Sequence, residues 1–194
     1  MTPVLVAVGA LLGFPPQSMA PPADPACLTT ANLGSLVKRA SPLDSVSFQL
    51  GDAKVKICYG RPSARGRAMI GGHHVPYGEL WRTGANEPTM IHTTASIVVG
   101  GVKLDPGTVS IYTIPGKTEW MVIFNKSTEQ WGDEGSYTEA IRRLEVGRAK
   151  LPVAKRRAHL EQLTIRVQED AGKPTALVLE WEWTSLSIPL STGG

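Results

Sequence analysis

Ser45–Tyr59 reads SVSFQLGDAKVKICY. Val46, Phe48 and Leu50 alternate with Ser45, Ser47 and Gln49. Gly51-Asp52-Ala53 supplies turn residues, and Val55, Ile57 and Tyr59 then alternate with Lys54, Lys56 and Cys58. Successive strand side chains point to opposite faces, so two period-two runs joined by such a turn predict a β-hairpin with one apolar face. The same period recurs at Thr89–Thr94, Ser96–Val99, Val102–Leu104, Thr108–Ile114, Glu119–Asn125, Leu163–Val167, Thr175–Trp183 and Leu186–Leu190. Gly100-Gly101, Asp105-Pro106-Gly107, Pro115-Gly116-Lys117 and Gly172-Lys173-Pro174 punctuate these runs as turns. The pattern predicts an all-β fold, an antiparallel β-sandwich or open barrel with little helix. Phe48, Ile57, Ile111, Ile123, Ile165, Leu179 and Trp181 are its expected core. Trp183 shares the parity of Leu177, Leu179 and Trp181 and is expected beside them in the core, the other reading of the two tryptophans being a ligand-stacking platform. Helical signal is confined to Ser136–Leu144 and to Pro152–Gln162, PVAKRRAHLEQ.

Composition narrows the class. The chain has 194 residues, enough for one hydrophobic core, and 19% of them are charged against 42% hydrophobic, which excludes disorder, a coiled coil and a polytopic membrane protein. Two cysteines are too few for a disulfide scaffold or a four-cysteine zinc module. A net charge of +3 does not call for nucleic acid. Arg142, Arg143, Arg148, Lys150, Lys155, Arg156 and Arg157 stand against Glu145 alone in the 142–157 segment. No aromatics interleave them, so they read as a solvated basic face.

The N-terminus predicts export. Pro3–Phe14 encloses the apolar run VLVAVGALLG, shorter than the ~20 residues of a spanning helix and suited to the apolar segment of a secretory signal. Ser18-Met19-Ala20 places cleavage after Ala20, although no Lys or Arg precedes Lys38. The expected layout is a signal peptide over 1–20, a flexible Pro-rich segment over 21–40 and a single β domain over 41–190, in the periplasm or outside the cell. Cys27 has two uses open to it. Asp24-Pro25-Ala26 is polar and rigid where lipid attachment wants an aliphatic residue, whereas an oxidising compartment favours a disulfide with Cys58.

Gly60–Pro88, GRPSARGRAMIGGHHVPYGELWRTGANEP, has neither strand nor helix period. Long structureless stretches in small domains tend to be functional. The run carries Arg61, Arg65, Arg67 and Arg82 with Glu79, Glu87, Tyr77, Trp81, Asn86, His73 and His74. Guanidinium forks suit carboxylates and phosphates, so these residues build either an anion pocket or an internal ion-pair network. Arg61, Arg67, Tyr77, Trp81, Arg82, Asn86 and Glu87 are the candidate ligand-binding residues, expected to converge into one polar cluster.

A family resemblance lies in the same residues. Tyr59-Gly60-Arg61-Pro62, Arg65-Gly66-Arg67, Val75-Pro76-Tyr77-Gly78 and Trp81-Arg82-Thr83-Gly84-Ala85-Asn86-Glu87 resemble the bacterial family called domain of unknown function 2911. So do Gly100-Gly101, Pro106-Gly107, Ile114-Pro115-Gly116, Trp120, Ile123-Phe124-Asn125 and Trp131-Gly132. The likeness runs from about Ser41 to Pro189 and implies an exported, mostly β, single-domain protein, with no reaction attached. His73-His74 stands where the family pattern has an apolar pair, so a metal role for these histidines would be peculiar to this chain.

No metal or cofactor is expected. His73 and His74 are adjacent, so in a strand they would face opposite ways, and His92 and His159 sit at no ligand spacing. A Gly-x-Ser-x-Gly elbow and a phosphate-binding glycine loop are both absent from the sequence. Three readings remain. One is an exported domain binding a small anionic or carbohydrate-like ligand through the Arg61–Glu87 loop. The second is a structural, envelope-associated domain whose loop is a rigid polar core. The third is a hydrolase centred on Tyr77, Glu87 and an arginine.

Overall fold

The quoted hairpin forms as read, with β1 (Leu43–Leu50) antiparallel to β2 (Ala53–Gly60), Val46 opposite Ile57 and Phe48 opposite Val55. Gly51 turns the chain at φ +58°, in the left-handed region that glycine enters without steric cost. The computed structural model describes residues 26–27, 38–130 and 134–193. The expected signal peptide and most of the Pro-rich segment lie outside the described residues, as does Trp131-Gly132.

Seven further strands follow: β3 (Thr89–Thr93), β4 (Ile97–Val99), β5 (Val102–Leu104), β6 (Gly107–Ile114), β7 (Glu119–Asn125), β8 (Glu145–Asp170) and β9 (Lys173–Thr192). They form one open antiparallel sheet in the order β1-β2-β3-β6-β7-β8-β9-β4-β5. The expected sandwich or open barrel thus resolves to a single sheet, bent by its two longest strands so that β1 comes back against β8 and β9. A Cβ at Gly51 would meet Thr192 Cγ2 at 2.7 Å, which marks where the first hairpin touches the end of β9.

Alternation decides the core. Trp120, Val122 and Phe124 of β7 face the main core with Ile57, Ile111, Ile165, Leu179 and Trp181. Phe48 lies half-buried against it. Ile123 has the opposite parity and is buried in a smaller cluster with Tyr112 and Tyr137 on the sheet's other face. The Ser136–Leu144 signal yields a 3-10 turn at Glu134–Ser136 and a one-turn helix, α1 (Glu139–Arg142), whose first turn is capped when Thr138 Oγ1 accepts from the Ile141 N–H at 3.4 Å.

Two expectations are corrected. Pro152–Gln162 is not a helix but the middle of β8, because Pro152 pairs with Glu119 on one side and Val153–Lys155 pair with Leu186–Thr184 on the other. Partners on both edges outweigh the weak helix preference of Ala, Lys, Arg and Leu. Trp183 is not core, with 50% of its surface exposed. The β8–β9 ladder slips there: Lys155 faces Thr184, but Leu160 faces Glu182. Glu182 takes φ +49° and turns its side chain inward, so the buried parity changes from Leu177, Leu179 and Trp181 to Leu186, Ile188 and Leu190. Strict alternation, read across a bulge, puts the next residue on the wrong face.

Candidate functional site

Loop 61–88 leaves β2 and returns to β3 almost without regular structure, and side chains fix its course. At its mouth the backbone passes so close to itself that a Cβ at Gly60 would lie 1.8 Å from Ala85 O; the Ala85 N–H donates to Gly60 O at 3.2 Å. The middle is tied to the bulge, because the Glu182 carboxylate accepts from the main-chain N–H groups of Met69 (3.1 Å) and Ile70 (2.8 Å). Toward the end, the Trp81 N–H and carbonyl pair with those of Thr113. The Trp81 indole stacks on Trp181 with ring centroids 5.9 Å apart and meets Trp120 edge-on at 6.1 Å. Thr83 and Asn86 hold positive φ of 61° and 68°, tightening the turn between Trp81 and Thr89.

The candidate residues separate into groups. Arg61 Nε donates to Leu163 O and Nη2 to Thr164 Oγ1, both at 3.0 Å, with Asp44 at 3.4 Å from Nη1. Arg67 donates to Ala64 O at 2.9 Å and Ser63 O at 3.1 Å and lies 3.4 Å from His74 Nε2. Arg82 donates to Asn86 O at 3.3 Å and reaches Glu134 at 3.4 Å, while Asn86 Nδ2 donates to Ser41 O at 3.2 Å. Glu87 is buried in a two-pronged ion pair with Arg39, both N–O distances being 2.7 Å. Burial and Glu87 act on Arg39 in opposite senses; the hydrogen bonding that Arg39 donates to Glu87 is the larger and raises its pKa.

Two hollows flank the loop. Trp81, Arg82 and Asn86 line a small one of about 180 Å³ with His74, Met69 and Glu134. Arg67 and Tyr77 line another of about 430 Å³ with His159, Glu182, Trp183 and Thr184. Arg61 and Glu87 line neither of these. The exposed rings of His73 and His74 meet edge-on at 5.4 Å. Among the described residues no group of three or more His, Cys, Asp or Glu is placed to hold a metal ion.

Sequence patterning misses Arg39, Glu182 and Trp183. Arg39 lies in a stretch without periodicity, and Glu182 sits between two tryptophans where alternation assigns it outward. A carboxylate flanked by large apolar residues is the one signal that could have marked the bulge.

A polar network lies across the sheet. Tyr137 Oη donates to Glu145 Oε1 at 2.7 Å, and Arg148 donates to both Glu145 oxygens at 2.8 and 2.9 Å. Hydrogen bonding from Arg148 holds the Glu145 carboxyl below its ordinary value against the opposing effect of burial. A depressed folded pKa contributes stability above the ordinary carboxylate range and loses it as pH falls through the folded value. Arg148→Met should therefore flatten the decline in melting temperature between about pH 5 and 2 relative to wild type. Parallel melts across that window check it, and an unchanged slope would remove Arg148 as the cause.

With this geometry in place, comparison gives the family. The model described as "Protein of unknown function (DUF2911)" matches residues 41–190. The chain belongs to this family. The match covers loop 61–88 and the sheet up to Leu190, leaving the last two residues of β9 beyond it. No curated protein matches the chain, and no solved structure matches it.

Cys27 and Cys58 form a disulfide with Cα atoms 5.7 Å apart, inside the span the bond requires. Among the described residues no helix is long and apolar enough to cross a membrane. The bond fastens the segment before the DUF2911 unit to β2, and Arg39–Glu87 fastens it to the loop's end.

Proposed function

We propose that the protein is an exported structural domain, working in an oxidising compartment, in which loop 61–88 is a rigid polar core and not an anion receptor. The observation that carries this reading is the direction of the guanidinium groups. All four loop arginines donate to main-chain carbonyls: Arg61 to Leu163, Arg65 to Ala40, Arg67 to Ser63 and Ala64, and Arg82 to Asn86. A receptor for anions aims such forks together at open space, whereas here they hold the course of the chain. Backbone ordering of a loop this long costs roughly 1–2 kcal/mol per residue, and fixed guanidinium–carbonyl bonds help to offset it.

Export is supported by the apolar run before Ala20 and by the disulfide. A hydrolase centre calls for a Tyr or Glu with shifted titration beside open space. Tyr59 and Tyr137 do titrate above their ordinary value, chiefly because they are buried. Their hydroxyls bond to Asp44, Ile165, Asn125 and Glu145.

Arg61→Lys tests the reading, because it keeps the charge and loses the fork. It should lower stability by about 1–2 kcal/mol and expose the loop to proteolysis, with phosphate, sulfate and citrate leaving the wild-type melt unchanged. Anions that stabilise wild type but not the variant, with the unliganded melt intact, would replace the scaffold by an anion site. Mass spectrometry of protein recovered from the envelope fraction should find an N-terminus at Pro21, and an intact Met1 there would remove export.

A further inference from the structure

We propose that the hollow between the 66–77 part of the loop and the bulge in β8 and β9 binds an uncharged saccharide. Among the described residues three large hydrophobic side chains are exposed, and two of them, Trp183 at 50% and Tyr77 at 42%, line this same hollow. Single exposed apolar residues are ordinary, but two large rings facing one concavity form a surface for a ligand. Its volume of about 430 Å³ falls in the range of roughly 300–1,000 Å³ typical of small-molecule sites, while the hollow beside Trp81, about 180 Å³, falls below it.

Both rings are held. His159 meets the Trp183 indole edge-on at 5.4 Å, and the slip in the β8–β9 ladder places the two residues together. Tyr77 lies over Gly71, where a Cβ would approach its ring to 2.3 Å, so the glycine gives the ring its seat.

The polar lining selects the ligand class. Glu182 accepts three hydrogen bonds from two loop N–H groups, and a carboxylate has about four lone-pair sites. The Arg67 guanidinium is committed to two carbonyls and His74 and retains donors beyond those contacts. A cation already engaged, beside a carboxylate, gives an anionic ligand little to gain. Hydroxyl groups, which both donate and accept, match a spare acceptor and spare donors, and Thr184 adds another of their kind. The C–H face of a pyranose ring carries weak positive charge and rests on the negative face of an aromatic ring. Aromatic rings with a few hydroxyl-matching groups, the one lining guanidinium among the described residues being engaged by Ala64, Ser63 and His74, describe a neutral sugar site. This assignment does not depend on the loop being scaffold or on export.

The test uses the full chain with its disulfide formed, titrated with hexasaccharides of β-1,4-glucose, β-1,3-glucose, α-1,4-glucose and β-1,4-N-acetylglucosamine. Tryptophan emission and its quenching by acrylamide are the readouts. At least one sugar should saturate with a Kd on the order of 1 mM and protect Trp183 from the quencher. Trp183→Ala and Tyr77→Ala should each raise that Kd about tenfold or more with unchanged melting, and Trp183→Phe should keep most of the affinity. The proposal is overturned if none of the four sugars saturates the wild type. It is equally overturned if binding survives both alanine variants, or if only sulfated versions of these sugars bind.

Discussion

Arg39→Met should destabilise the folded protein by about 3–5 kcal/mol, the cost of breaking a buried ion pair from one side. The Arg39 and Glu87 side chains are only 9% and 4% exposed, and both prongs of the pair measure 2.7 Å. A surface pair would be worth far less, about 0–1 kcal/mol. At roughly 2–4 °C per kcal/mol for a chain of this size, the melting temperature should fall by about 6–20 °C. The decisive variant is the double replacement Arg39→Met with Glu87→Met. Removing both charges also removes their desolvation cost, so the double variant should be more stable than Arg39→Met alone. Chemical denaturation of wild type, Arg39→Met, Glu87→Met and the double variant, with the disulfide intact, measures the coupling. Additive losses would show that the two side chains act separately and that the pair does not close the loop.

Trp181→Ala carries the second large effect, about 3–5 kcal/mol for deleting a large aromatic from a filled core. The ring is wholly buried, stacks on Trp81, and donates from Nε1 to Glu161 O at 3.1 Å. Two residues along the same strand, Trp183→Ala should stay within about 0.5 kcal/mol of wild type, as exposed positions do. The contrast reads out the bulge directly. Equal losses at the two positions would restore the uninterrupted alternation and bury Trp183.

Most of the sheet was legible in the sequence because period two is a local signal. Each of the paired runs on β1, β2, β6 and β7 declares its own inner face, and the turns announce themselves through Gly, Asp and Pro. The illegible parts are those settled by distant partners. Helix-favouring residues over 152–162 become strand because β9 pairs along them, with β7 at Pro152 and the loop at Gln162, which no window of that segment records. Trp183 faces outward because Glu182 is drawn inward by two N–H groups more than a hundred positions earlier in the chain. The loop was recognised as unusual from its lack of period. Its grouping was not, since Arg61 answers to Leu163 and Thr164, and Glu87 answers to Arg39, across separations that spacing does not encode.

The bond between Cys27 and Cys58 also settles how the domain bears a pull. A load applied ahead of Cys27 would, without that bond, run through Arg39 and its ion pair with Glu87 to β1, a strand at the edge of the sheet. With it, tension passes through sulfur into Cys58, in a strand flanked by β1 on one side and β3 on the other. The force then meets a strand held by two ladders instead of one. A domain hung from a surface by its leading segment would in this way take the pull at an interior strand and not at the edge of its sheet.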